Sequence, residues 1–326
     1  MQSVPGIMAL AFLFPGQGSQ AVGMGRALAD AFPAARAVFT EVDAALDQNL
    51  SQIMWSGPES DLTQTENAQP ALMAISMAVL RVLESEFDIV LSNVASCVAG
   101  HSLGEYSALA AAGTFTLADT ARLLKRRGKA MQSATPQGVG AMAALLGLDY
   151  EEVEGIAAEA SQDEVCSAAN DNSPGQVVVS GHKAAVDRAV EIAKERGAKR
   201  AVLLAVSAPF HCALMQPAAQ IMAEVLSSTP MREPTVPLYA NVTASPLQRV
   251  DDIRAGLVAQ VTGTVRWRES MAAMASSGVQ LFCEVGAGKV LSGLVKRNAP
   301  GASALSIGTL EDIEASAATL KRSGHV

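Results

Sequence analysis

The pentapeptide Gly100-His-Ser-Leu-Gly104 matches G-x-S-x-G, the pattern of a nucleophile elbow. In such an elbow a strand turns sharply into a helix, glycines two positions either side of the serine relieve crowding, and the serine is lifted above the sheet. An apolar run over residues 94–99 precedes the pattern, and helical spacing follows it over residues 105–112. The order is strand, tight turn, helix, which makes Ser102 the candidate nucleophile and puts the Leu103 N–H at the start of the helix. The bland alternative is a glycine-flanked turn with a helix-capping serine.

A serine hydroxyl attacks only when a neighbouring base, most often a histidine, takes its proton. Four histidines are present. His325 belongs to the terminal tail, His182 follows a predicted strand in a turn, and His101 sits next to Ser102, where side chains of adjacent residues diverge. His211 remains as the candidate base; its bland alternative is a satisfied histidine between two domains. No Asp or Glu stands out as a third member, and the HGGG-type oxyanion motif of lipases is missing, so an ordinary esterase triad does not fit.

Other motifs carry less. Gly16-Gln-Gly18-Ser-Gln-Ala21 loosely fits a dinucleotide fingerprint, but helical residues replace the second strand and its acid. A glycine loop after a strand can instead aim a backbone N–H at a developing oxyanion, and Gln17 is the residue expected there. Gly286-Ala-Gly-Lys289 lacks the first glycine and the Ser/Thr of a P-loop and reads as a strand-to-helix turn. In Lys125-Arg-Arg-Gly-Lys129 most cations suit a solvated face near a helix C-terminus. One arginine turned inward would offer a carboxylate a bidentate fork. Cys212 beside His211 suits small apolar packing.

These residues need a scaffold. Residues 8–14 read as a buried first strand, and residues 22–50, 68–86, 213–226 and 249–278 as helices. Between 138 and 206 the elements run β-α-β-β-α-β, with strands at 141–147, 164–169, 176–180 and 200–206. Residues 279–285 form another strand, and the tail after Glu314 looks dispensable. The expected fold class is α/β: a large α/β domain with an inserted ferredoxin-like small domain. The small domain would span 138–206, and the discontinuous large domain 1–137 and 207–326.

Composition agrees with an enzyme of this kind. The 326 residues are 49% hydrophobic, 4% aromatic and 17% charged, so a large aliphatic core is available and disorder is excluded. A net charge of −8 without a long basic run argues against nucleic acid. Four scattered cysteines suggest neither a zinc site nor a disulfide framework and suit a reducing cytoplasm. No apolar stretch is long enough to span a bilayer, so no membrane association is expected.

Phe14-Pro-Gly-Gln-Gly-Ser-Gln20, Gly100-His-Ser-Leu-Gly-Glu-Tyr-Ser-Ala-Leu109, Arg127-Gly-Lys129, Gly140-Ala-Met-Ala-Ala144, Asn172-Ser-Pro-Gly-Gln-Val-Val178, His211-Cys-Ala-Leu-Met215 and Glu284-Val-Gly-Ala-Gly-Lys-Val-Leu291 span nearly the whole chain. Through these blocks the sequence resembles the malonyl-CoA:acyl carrier protein transacylases of bacterial fatty acid synthesis. The resemblance implies Ser102 as the acylated nucleophile, His211 as its base, and Arg127 as the partner of the malonyl carboxylate. It implies backbone N–H groups of Gln17 and Leu103 as the oxyanion hole, and the backbone carbonyl of Gln260 as the group orienting the imidazole, which would account for the missing acid. It also implies an α/β-hydrolase-like core with a parallel sheet, and ping-pong transfer from malonyl-CoA to the phosphopantetheine thiol of acyl carrier protein, with no cofactor of its own. A monomer is expected, with a basic rim formed by Lys125, Arg126, Lys129, Lys289, Lys296 and Arg297 near the cleft. The competing readings are a serine thioesterase or esterase using Ser102 and His211, and a non-catalytic acyltransferase-like docking module.

Overall fold

The structure of the protein is a computed structural model that describes residues 9–322. Met8 of the expected first strand and His325 lie outside the described residues. The strands, in chain order, are β1 (Ala9–Phe14), β2 (Cys97–Gly100), β3 (Gly140–Leu146), β4 (Cys166–Ser173), β5 (Gln176–His182), β6 (Arg200–Leu203), β7 (Leu238–Tyr239), β8 (Pro246–Leu247), β9 (Val279–Val285) and β10 (Ser303–Ile307).

Six of them form one sheet in the order β10-β9-β1-β2-β7-β8, parallel throughout except for the last pair. A parallel sheet is covered on both faces, so its central strand must be apolar at every position. β1, Ala-Leu-Ala-Phe-Leu-Phe, meets that demand. Because side chains alternate along a strand, Leu10, Phe12 and Phe14 enter the main helical core, while Ala11 and Leu13 pack with Trp267, Met271 and Phe282 on the other side.

The second sheet is antiparallel, in the order β4-β5-β3-β6. With helices Tyr150–Ser161 and Lys183–Glu195 it makes the β-α-β-β-α-β unit read from the sequence, in the strand arrangement of a ferredoxin-like fold. The first of these helices starts at a capping box between Asp149 and Glu152. The unit has its own core, built on Leu145, Val153, Ile156, Val177, Val179 and Val186. It is tied to the larger sheet's side where the Asp171 N–H donates to Val265 O and the Val265 N–H donates to Ala169 O, both at 2.9 Å.

That tie explains a difference from the expected helix over 249–278. The helix stops at Gln260 and resumes at Trp267, because the intervening Val-Thr-Gly-Thr-Val run leaves the helical path and Val265 pairs with β4. The expected helix over 22–50 is likewise three, Arg26–Ala31, Pro33–Leu46 and Leu50–Ser56. Pro33 opens the second, and Asp47, at φ 48°, closes it. The C-terminal tail is not dispensable: helix Leu310–Arg322 buries Ile313, Ala317 and Leu320 at helical spacing in the main core. No helix among the described residues is long and apolar enough to cross a membrane.

Candidate active site

β2 ends at Gly100 and the next helix, Gly104–Ala111, begins four residues later. Both glycines are required by contact. A Cβ at Gly100 would lie 1.9 Å from Gly104 O, and a Cβ at Gly104 would lie 2.2 Å from Phe14 O, the end of β1. The close approach forces Ser102 into the left-handed region at φ 53°, a conformation that costs a non-glycine residue of order 1 kcal/mol. Its backbone is held there from two sides: the Ser102 N–H donates to Asn241 Oδ1 (2.8 Å), and Ser102 O accepts from Gln260 Nε2 (2.9 Å).

Ser102 Oγ lies 2.8 Å from His211 Nε2, and His211 Nδ1 lies 2.8 Å from Gln260 O. A carbonyl only accepts, so Nδ1 carries the proton; Nε2 then presents a lone pair to the serine O–H when the ring is neutral. Burial, reinforced by the nearby Arg127 charge, pushes the His211 pKa down from 6.5 to about 3, despite the opposing hydrogen bond to Gln260. The ring is therefore set in the form that can take a proton.

Arg127 is 1% exposed and reaches the same hydroxyl, with Nη2 at 3.2 Å from Ser102 Oγ and 2.9 Å from Gln260 Oε1. Nη1 donates to Gln69 Oε1 (2.8 Å), and Nε has no acceptor among the described residues. The Tyr106 ring lies under the guanidinium, 5.6 Å from its carbon to the ring centre. Gln69 Nε2 continues to Thr65 Oγ1 (2.9 Å), which donates to Gln17 Oε1 (2.8 Å), linking Arg127 to the loop after β1.

Ser102, His211 and Arg127 open into a cleft of about 380 Å³, also lined by Gln17, Leu103, Met131, Met142, Leu204, Val206 and Phe210. The backbone N–H groups of Gln17 and Leu103 have no acceptor among the described residues. Five of the six residues singled out for the site thus line one cleft, and the sixth, Gln260, is buried behind it in contact with Ser102, His211 and Arg127. Of the other described histidines, His101 also lines the cleft, but its Nε2 pairs with Asn172 Oδ1 (2.8 Å) and its ring lies against Trp267, while His182 lies outside the cleft with Nδ1 accepting from the Val165 N–H (2.9 Å). Cys212 is buried with its thiol toward Pro209 O.

One expectation about cations is corrected. The run from Lys125 to Lys129 does not end its helix, which continues to Ser133 with no basic residue in the last turn, so these cations draw nothing from the helix dipole. Of the expected basic rim, none lines the cleft; Lys125 and Lys129 face Glu66 (3.5 and 3.8 Å) and Lys289 faces Asp312 (4.0 Å).

Gln69, Glu105 and Asn241 are site residues that sequence reasoning missed. Glu105 carried a signal, an acid one turn past the serine inside an apolar helix. Gln69 and Asn241 carried none, being amides in unremarkable segments.

Residues 11–324 match the acyl transferase domain family. A malonyl CoA-acyl carrier protein transacylase of Haemophilus influenzae is 45% identical over 94% of this chain and 97% of its own. An acyl-carrier-protein-S-malonyltransferase structure from Bartonella henselae superposes with a TM-score of 0.94 at 54% identity, covering 97% of this chain and all of that one (100%). A type II PKS acyl-carrier protein in complex with its malonyl-transacylase matches with a TM-score of 0.92 and 42% identity, over 95% of this chain and 99% of the other. With a match from the first sheet strand to the last helix, the chain belongs to the acyl transferase family, among the malonyl CoA-acyl carrier protein transacylases.

Proposed function

We propose that the chain transfers a malonyl group from malonyl-CoA to the phosphopantetheine thiol of acyl carrier protein, by a ping-pong route through an ester on Ser102. The observation that carries this is one buried cation. Arg127 sits 3.2 Å from the hydroxyl that His211 would deprotonate, and no carboxylate lies within ion-pair distance of it among the described residues. A buried guanidinium that makes no direct ion pair within the protein is matched by an anionic acyl chain.

In the first half-reaction His211 Nε2 takes the Ser102 proton as Oγ attacks the thioester carbonyl. The oxyanion falls to the backbone N–H groups of Gln17 and Leu103, each contributing about 3 kcal/mol to the tetrahedral state. Collapse expels the CoA thiolate, which receives the proton from His211. In the second half-reaction His211 deprotonates the carrier thiol, which attacks the ester; as the bond to Oγ breaks, His211 returns the proton and restores Ser102. Gln260 O holds the imidazole in the required tautomer, in place of a carboxylate. The thioester is already activated, so the chemistry calls for no cofactor, and one chain supplies every group. Apolar residues at the cleft wall, Met131, Met142 and Phe210, favour the thiol over water.

In this reading residues 138–206 form a small domain inserted into a large domain of 1–137 and 207–326, with cleft walls from both. The four buried free cysteines suit a reducing compartment, and the reaction is assigned to the cytoplasm.

The test is intact-mass measurement after mixing with malonyl-CoA, followed by addition of phosphopantetheinylated carrier protein. A malonyl adduct on the wild type, absent from Ser102→Ala and passed to the carrier, is expected. An adduct that persists in Ser102→Ala, or one released only to water, overturns the assignment.

A further inference from the structure

Two side chains hold the strained backbone of Ser102, and one carboxylate holds both. Glu105 is 1% exposed; its Oε2 accepts from the Asn241 N–H (3.0 Å) and from Gln260 Nε2 (2.9 Å). Asn241 in turn takes the Ser102 N–H on Oδ1 and gives Nδ2 to Gly100 O (2.7 Å), so the two ends of the elbow are clamped by one amide. A buried carboxylate is costly, and burial pushes the Glu105 pKa up to about 7 even though Gln260, Asn241 and Arg127 pull it down.

The consequence falls on Gln260. Its Nε2 is ringed by three oxygens: Ser102 O at 2.9 Å, Glu105 Oε2 at 2.9 Å and Asn241 Oδ1 at 3.3 Å. A flipped carboxamide would set its own oxygen against all three and its NH2 against a guanidinium. The amide therefore has one orientation, with Oε1 toward Arg127 Nη2 (2.9 Å). Glu105 itself makes no ion pair with Arg127; it balances the cation across the Gln260 amide and leaves the guanidinium's own donors for the acyl chain.

We infer that Glu105 is a positioning residue for acyl selectivity, whose carboxylate fixes the Gln260 carboxamide and thereby the place where Arg127 meets the acyl group. The inference rests on the malonyl-transfer reading and adds to it a residue that touches no substrate. The readout is the ratio of kcat/KM for malonyl-CoA to that for acetyl-CoA, since acetyl offers Arg127 no carboxylate. Glu105→Leu keeps the volume and removes the acceptor, and it lowers the ratio about tenfold, equivalent to 1.4 kcal/mol. Glu105→Gln, whose amide oxygen can accept both bonds, stays within about threefold of the wild type. In an Arg127→Ala background, Glu105→Leu shifts the ratio no further than about twofold, because the two act through one path.

Equal losses for both thioesters in Glu105→Leu, or a ratio that still falls once Arg127 is gone, overturn the inference. If Glu105→Leu does not fold, Gln260→Met carries the test: it keeps the backbone carbonyl for His211 and must reproduce the lowered ratio, and an intact ratio sinks the proposal. A wild type that forms no malonyl-enzyme at all speaks against the parent reading instead.

Discussion

Arg127→Ala separates binding of a carboxylate from the chemistry at the serine. The guanidinium is buried, so its bonds to a substrate carboxylate are not screened by solvent, and a charge-assisted pair of this kind contributes about 1.5–3 kcal/mol. At 1.4 kcal/mol per tenfold, acylation by malonyl-CoA should fall about 10–100-fold. Acetyl-CoA presents only a methyl group, and its rate should stay within about threefold of the wild type. The variant also strips Gln69 Oε1 and Gln260 Oε1 of their donor, at a stability cost of about 1–3 kcal/mol for each acceptor left unsatisfied. Arg127→Lys is the control: it retains charge but cannot span two amide oxygens as a planar fork, and it should fall between wild type and alanine. Single-turnover acylation followed by rapid quench and intact mass gives both rates, and thermal unfolding reports the stability cost separately. Parallel losses for malonyl and acetyl would falsify the assignment of Arg127 to the carboxylate.

Two further outcomes follow from the geometry. Gly104→Ala places a methyl 2.2 Å from Phe14 O, so β1 or the elbow must move; acylation should be lost together with about 1–3 kcal/mol of stability, and a variant that acylates normally would remove the contact argument for the elbow. His211, held down to about 3 by burial and the Arg127 charge, should keep a neutral ring from about pH 8 to about pH 5. Because its folded value is depressed, the stability it contributes is complete above 6.5 and is lost as pH falls toward 3. Ring carbon and nitrogen shifts across that range check it, and a titration near 6.5 would contradict the buried, neutral base.

The elbow was legible because it is local. Glycines at fixed offsets and a switch from strand to helix period are properties of a dozen consecutive residues, and Ser102 follows from them without knowledge of the rest. Arg127 was legible in part: on helix Leu117–Ser133 it shares the buried stripe of Thr120, Leu123, Leu124 and Met131, whereas Lys125, Arg126 and Lys129 fall off it. His211 was found by scarcity, since only four histidines exist and three had poor settings.

Gln260 was different. It orients His211 through a backbone carbonyl, which every residue type possesses, so no side chain marks the position; only the helix ending against the cleft places that oxygen 2.8 Å from Nδ1. Glu105, Asn241 and Gln69 depend likewise on chain crossings of 136, 155 and 58 residues, beyond any period. The sequence alone determined the elbow, the pool of groups for its chemistry and the order of elements in the small antiparallel unit, because each is written in short-range pattern. Tertiary structure alone decided which carbonyl faces the imidazole, which amides clamp the serine and how far burial shifts His211, because these depend on distance through space and exclusion of water rather than on neighbours in the chain.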